Sequence, residues 1–95
     1  MYDMNDFQNE FLKALGEIQK ETVEIALVEK TEFKSKEDEL YSITSEMIYR
    51  ILELMDGYGN YSIGKMDIRN TLSGESLKND PYIELHDAVA DFIRE

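Results

Sequence analysis

From Met4 onward, Phe7, Phe11, Leu15, Ile18 and Ile25 fall on one stripe at helical steps. Leu12 and Ala26 widen it, and Thr22 and Glu29 keep its phase. Such spacing returns each side chain to the same face of a 3.6-residue helix and predicts an amphipathic helix over about 4–31. Asp3 or Asn5 can cap its first amides, and Asp6 places negative charge at the positive end of the macrodipole. Val23, Ile25 and Leu27 also alternate as they would in a strand, but the stripe runs through residues 22–28 in phase and favours helix.

A second stripe, Leu40, Ile43, Met47, Ile51, Leu54 and Tyr58, predicts a helix over about 36–57. Ser35-Lys36-Glu37-Asp38 has the spacing of a capping box at its start, and Gly57 and Gly59 offer positive-φ positions at its end. Between Asn60 and Asp80 neither period holds. Met66 to Arg69 alternates and Ser73-Gly74 marks a turn, which predicts a short β-hairpin at about 66–77. Asp80-Pro81 then supplies a capping carboxylate before a first-turn proline and opens a third helix over about 81–94, with Ile83 or Leu85, Val89, Phe92 and Ile93 facing inward. The expected fold is mainly α, a three-helix bundle.

With 95 residues the chain fits a single domain, 1–95. A helix over 4–31 would be ~42 Å long, whereas a compact chain of this length has a radius of gyration near ~12 Å and a diameter of about 32 Å. The end of the first helix should therefore overhang. Val23, Ile25, Leu27 and Val28 then need cover from a bend at Gly16, conversion to a strand, or a second subunit, and pairing as a homodimer is the simplest.

Charge narrows the partners. Twenty-one Asp and Glu against ten Lys and Arg leave a net charge of −11, spread along the whole chain. An anionic surface repels phosphate backbones and anionic membrane surfaces, so no nucleic acid and no membrane is expected as a partner. The absence of Cys excludes disulfides and thiolate chemistry and fits a reducing compartment. The stretch Met1 to Asp6 is acidic and has no apolar run, so no secretory signal is expected there and the cytoplasm is the expected setting.

Candidate chemistry is sparse. Asp56 to Asp67 resembles the twelve-residue calcium loop of EF-hand proteins: Asp56, Asn60 and Asp67 take its first, fifth and twelfth places and Ile63 its apolar eighth. Tyr58 stands where a third ligand belongs, Tyr61 where the turn needs glycine, and Asp67 is a methylene short for bidentate ligation. His86 is the single imidazole, and nothing nearby in sequence completes a catalytic set. No nucleophile elbow, phosphate-binding loop or H-E-x-x-H pattern occurs, so the chain does not read as an enzyme and no cofactor is expected. Tyr49, Arg50, Tyr58, Tyr61 and His86 could instead form an aromatic patch rimmed by acid, since amphipathic rings serve as binding anchors. Burial habits favour the other reading, in which these rings edge the core with their hydroxyls in water.

The run from Met47 to Tyr58, with Leu85-His86-Asp87 later, resembles small acidic proteins of low-GC Gram-positive bacteria whose function is unknown. That resemblance implies a bacterial cytoplasmic setting and a polar cluster of Arg50, Asp56 and His86. The function expected from the residues is a small acidic, non-enzymatic interaction module, inhibitor-, immunity- or antitoxin-like, for a basic protein partner. The alternative is a divalent-cation protein using Asp56, Asn60 and Asp67.

Overall fold

A computed structural model describes residues 3–58, 63–78, 80 and 82–94. Its helices are α1 (Asp6–Val28), α2 (Lys36–Met55) and α3 (Leu85–Ala88), the last followed by a 3-10 turn at Val89–Asp91. Each long helix starts where a side chain can satisfy its free amides. Asn5 Oδ1 accepts from Gln8 N at 2.8 Å while Gln8 Oε1 accepts from Asn5 N at 2.8 Å, a reciprocal capping box. Ser35 Oγ accepts from Asp38 N at 3.1 Å, and the Asp38 carboxylate turns to Arg94.

α1 is helical throughout residues 22–28, which settles that segment, and it continues unbroken past Gly16. It lies antiparallel to α2, so the middle of α1 meets the end of α2: Ala14, Ile18 and Leu54 are buried together, with Phe11, Leu15, Met47, Ile51, Ile63 and Met66 packed around them. Toward the connector the contact holds small polar residues. Thr22 is buried with its hydroxyl donating to Ile18 O at 2.7 Å, and Ser45 is buried with its hydroxyl donating to Ser42 O at 3.0 Å. The overhang is real, because Leu27 and Val28 are 79% and 75% exposed. The radius of gyration is 15.4 Å, against ~12 Å for a compact chain of this length.

α2 ends in a Schellman motif: Tyr58 N donates to Glu53 O at 2.9 Å and Gly57 N to Leu54 O at 3.1 Å, with Gly57 at φ +91°. A Cβ at Gly57 would stand 2.8 Å from Lys65 Cγ and 3.1 Å from the Lys65 backbone nitrogen. Positive φ alone costs a side chain ~1–2 kcal/mol. Gly57→Ala is therefore expected to lose about 2 kcal/mol in urea denaturation, and Gly16→Ala, with open space around its Cβ, to lose nothing.

Two expected elements need correction. No strand forms among the described residues, and the hairpin at 66–77 reduces to one antiparallel bridge, Arg69 to Ser76. The turn is present: Asn70 Oδ1 accepts from Leu72 N and Ser73 N, and Gly74 takes φ +80°. Ile68, Leu72 and Leu77 are exposed, so no apolar face is buried to extend an isolated two-stranded pair. The helix expected over 81–94 is likewise only α3 and its 3-10 turn. Tyr82 N and Ile83 N bond back to Asp80 as a turn, Phe92 is 85% exposed, and Pro81 lies outside the described residues. A helix this short does not hold itself. Arg94 anchors the far end of this segment at the start of α2, pairing with Asp38 and lying 4.3 Å from the Tyr41 ring centroid. Among the described residues, no helix is long and apolar enough to cross a membrane.

Candidate functional site

What holds α3 is Asp56. As the C-cap of α2 it is 1% exposed, and its carboxylate meets four donors. Oδ1 accepts from the Lys78 ammonium and from Leu85 N at 3.2 Å; Oδ2 accepts from His86 N at 3.0 Å and faces His86 Nδ1 at 2.6 Å. The α3 cap residue, Glu84, makes no side-chain capping bond, so a carboxylate from α2 satisfies the first amides of α3 instead. Tyr58 packs edge-on against the His86 ring, with centroids 5.2 Å apart, and its hydroxyl donates to Glu84 Oε1 at 2.9 Å. Glu84 Oε2 is buried without a hydrogen-bond partner, 3.8 Å from His86 Nδ1.

These contacts set the charges. Burial raises the Asp56 carboxyl pKa, but the Lys78 ammonium, the His86 ring and the two amides outweigh it and hold the group at about 2 instead of 3.8. The bond to Asp56 raises the His86 pKa above 6.5, against its own desolvation and with further help from Asp87 and Glu53. Tyr58 is pushed above its usual value of 10.0, first by its bond to Glu84.

The residues singled out from sequence separate into two places. Tyr58 and His86 meet at the Asp56 end of α2. Tyr49 lines the α1/α2 groove, and Arg50 bridges the helices there through Glu46 at 2.9 Å and Glu21 at 3.2 Å. Asp56 and His86 thus pair directly, while Arg50 is engaged with other acids. Asp67, from the other end of the calcium-like loop, accepts on Oδ1 from Ile68 N and Lys78 N, so Lys78 binds Asp56 through its ammonium and Asp67 through its amide. Asn60 and Tyr61 lie outside the described residues. Sequence reading missed Lys78 and Glu84 because they approach Asp56 and Tyr58 from 22 and 26 positions away, with no periodicity to mark them.

The groove is the second candidate. Between α1 and α2, toward the connector, a cleft of about 340 Å³ is lined by Thr22, Ile25, Ala26, Glu29, Ser42, Ile43, Ser45, Glu46 and Tyr49. A second cleft shares Ala26, Glu29 and Ile43 and extends to Phe33, Lys36 and Glu39. A third shares Ile25 and reaches Val28, Glu21 and Glu24. Together they form a cleft in which Ile25, Ala26 and Ile43 stand beside the buried Thr22 and Ser45, with acidic residues around it, open at the end of α1 where Leu27 and Val28 are uncovered. Comparison with protein-family models, curated proteins and solved structures finds no match for the chain.

Proposed function

We propose that the protein is a non-enzymatic interaction module of the bacterial cytoplasm, and that its α1/α2 groove receives a basic amphipathic helix of a protein partner. The observation that carries this reading is the acid-rimmed cleft. Ile25, Ala26 and Ile43 offer contacts for apolar side chains beside the buried Thr22 and Ser45, and Glu21, Glu24, Glu29, Glu39 and Glu46 surround them. Lys36 pairs with Glu39, and Arg50 with Glu21 and Glu46, so the rim keeps an anionic excess. Helix-in-groove recognition needs this combination of contacts for i, i+3, i+4 anchors and a rim that selects charge. A net charge of −11 speeds encounter with a basic partner. It opposes a second copy of the chain, whose rim would bring like charge to like, so the overhang of α1 is better covered by a basic partner than by self-pairing.

A helix-forming Lys/Leu peptide and a Glu/Leu peptide with the same apolar face test the reading. The basic peptide is expected to shift the amide resonances of Ile25, Ala26 and Ile43, to bind more weakly as salt rises, and to bind at least about tenfold more weakly to Ala26→Arg, ~1.4 kcal/mol. Equal binding of both peptides, shifts that miss the groove, or a stable dimer in light scattering that buries Leu27 and Val28 would overturn it.

A further inference from the structure

We infer that Asp56, Glu84 and His86 form a binding site for a divalent transition-metal ion, best matched by zinc, which takes the place of the proton between His86 Nδ1 and Asp56 Oδ2. One donor atom from each of the three lies within 4.8 Å of the others. The Nδ1 to Asp56 Oδ2 separation is 2.6 Å and the Nδ1 to Glu84 Oε2 separation 3.8 Å. Zinc bonds of ~2.0–2.1 Å in a tetrahedron place neighbouring ligand atoms about 3.3 Å apart, between those two values. Drawing the Asp56 and Glu84 oxygens, within 4.8 Å of each other, onto that spacing would complete three corners, and water would supply the fourth from the part-exposed side of His86 and Glu84.

The surroundings resemble those of a metal site more than those of a simple ion pair. Each carboxylate turns one oxygen toward the same imidazole nitrogen and has the other held by the protein, and on Asp56 the oxygen turned to the ring, Oδ2, also accepts from His86 N at 3.0 Å. On Asp56, Oδ1 is fixed by Lys78 and Leu85 N; on Glu84, Oε1 is fixed by Tyr58. Such outer hydrogen bonds orient ligands and are a regular part of metal sites. Glu84 Oε2 is left buried with no donor, which costs free energy that a cation would recover. The far ring nitrogen, Nε2, faces the Asp87 carboxylate at 3.6 Å, the arrangement that orients an imidazole bound through its other nitrogen. Asp56 is rigid because its own amide closes α2 on Leu52. An imidazole among two carboxylates selects borderline transition ions over calcium and magnesium, which require six or more oxygens. This site is independent of the groove and differs from the Asp56, Asn60, Asp67 set, sharing only Asp56 with it.

Calorimetric titration of the full chain with zinc tests the site. The expected result is one ion per chain and movement of the His86 Nδ1 resonance in nitrogen NMR. Glu84→Gln keeps an oxygen for Tyr58 and is expected to melt normally without metal while binding zinc at least about tenfold more weakly. The absence of saturable binding at millimolar zinc, zinc affinity unchanged in Glu84→Gln, or calcium binding as tightly as zinc would each overturn the assignment.

Discussion

Asp56→Ala is expected to cost about 3–5 kcal/mol, the range for removing one partner of a buried ion pair, and to release α3 from the end of α2. The substitution leaves the Lys78 ammonium, itself only 9% exposed, and the His86 ring without their acceptor, and it returns the amides of Leu85 and His86 to the unsatisfied state of a bare helix start. A domain of this size commands ~5–15 kcal/mol in total, so one carboxylate holds a large share. Urea denaturation should show the loss, and hydrogen exchange should show Leu85 and His86 amides unprotected while Ala14 and Ile18 stay protected. Much of the cost is the orphaned ammonium, so adding Lys78→Met should recover part of it. A loss below about 1 kcal/mol with α3 amides still protected would show that other contacts seat the segment.

Stability in the presence of a metal chelator is expected to be greatest between about pH 4 and pH 6.5 and to fall on both sides. On the acid side, Asp56 titrates near 3.8 when unfolded and at about 2 when folded, so its contribution is complete above the first value and vanishes as pH drops through the second. A shift of that size amounts to about 2 kcal/mol at 1.36 kcal/mol per unit. On the alkaline side, His86 has its pKa raised on folding, so its contribution is complete below 6.5 and disappears as pH rises through the folded value. The imidazole is faced by Asp56 and Glu84 across the site, by Asp87 beside it and by the Tyr58 ring, with Glu53 adding to the field. Thermal melting across pH in His86→Gln should lose the alkaline decline and keep the acid one. An alkaline decline that persists in His86→Gln would place its origin elsewhere.

The two long helices were legible because each carries an apolar stripe at helical spacing, which the structure buries around Ile18 and Leu54 and leaves exposed at Phe7, Ile25 and Leu40. Asp3 or Asn5 and Ser35 marked the starts, and Gly57 the stop of α2. The segment after Tyr58 was not legible because tertiary contacts decide it. Ile68, Leu72, Leu77 and Phe92 look like core positions and are exposed, so their spacing carried no information about packing. Asp56 drew attention as a calcium ligand by its place before two glycines. The structure makes it the anion that caps α3, a role its sequence neighbours do not signal, since its partners Lys78, Leu85 and His86 lie 22 to 30 positions on. The pairing of Asp56 with the lone imidazole was within reach; the lysine on its other oxygen was not.

The apolar packing of the helix pair is concentrated at one end. Ala14, Ile18, Leu54 and Met55 are buried near the Asp56 clamp, whereas Thr22 and Ser45 are the buried residues toward the connector. Breathing of the pair should therefore begin at the connector, with amide exchange fastest along residues 23–31 and 36–44 and slowest along 14–18 and 51–55. An incoming helix could wedge into that soft mouth while the opposite end stays shut, so the molecule could yield to a guest without unravelling.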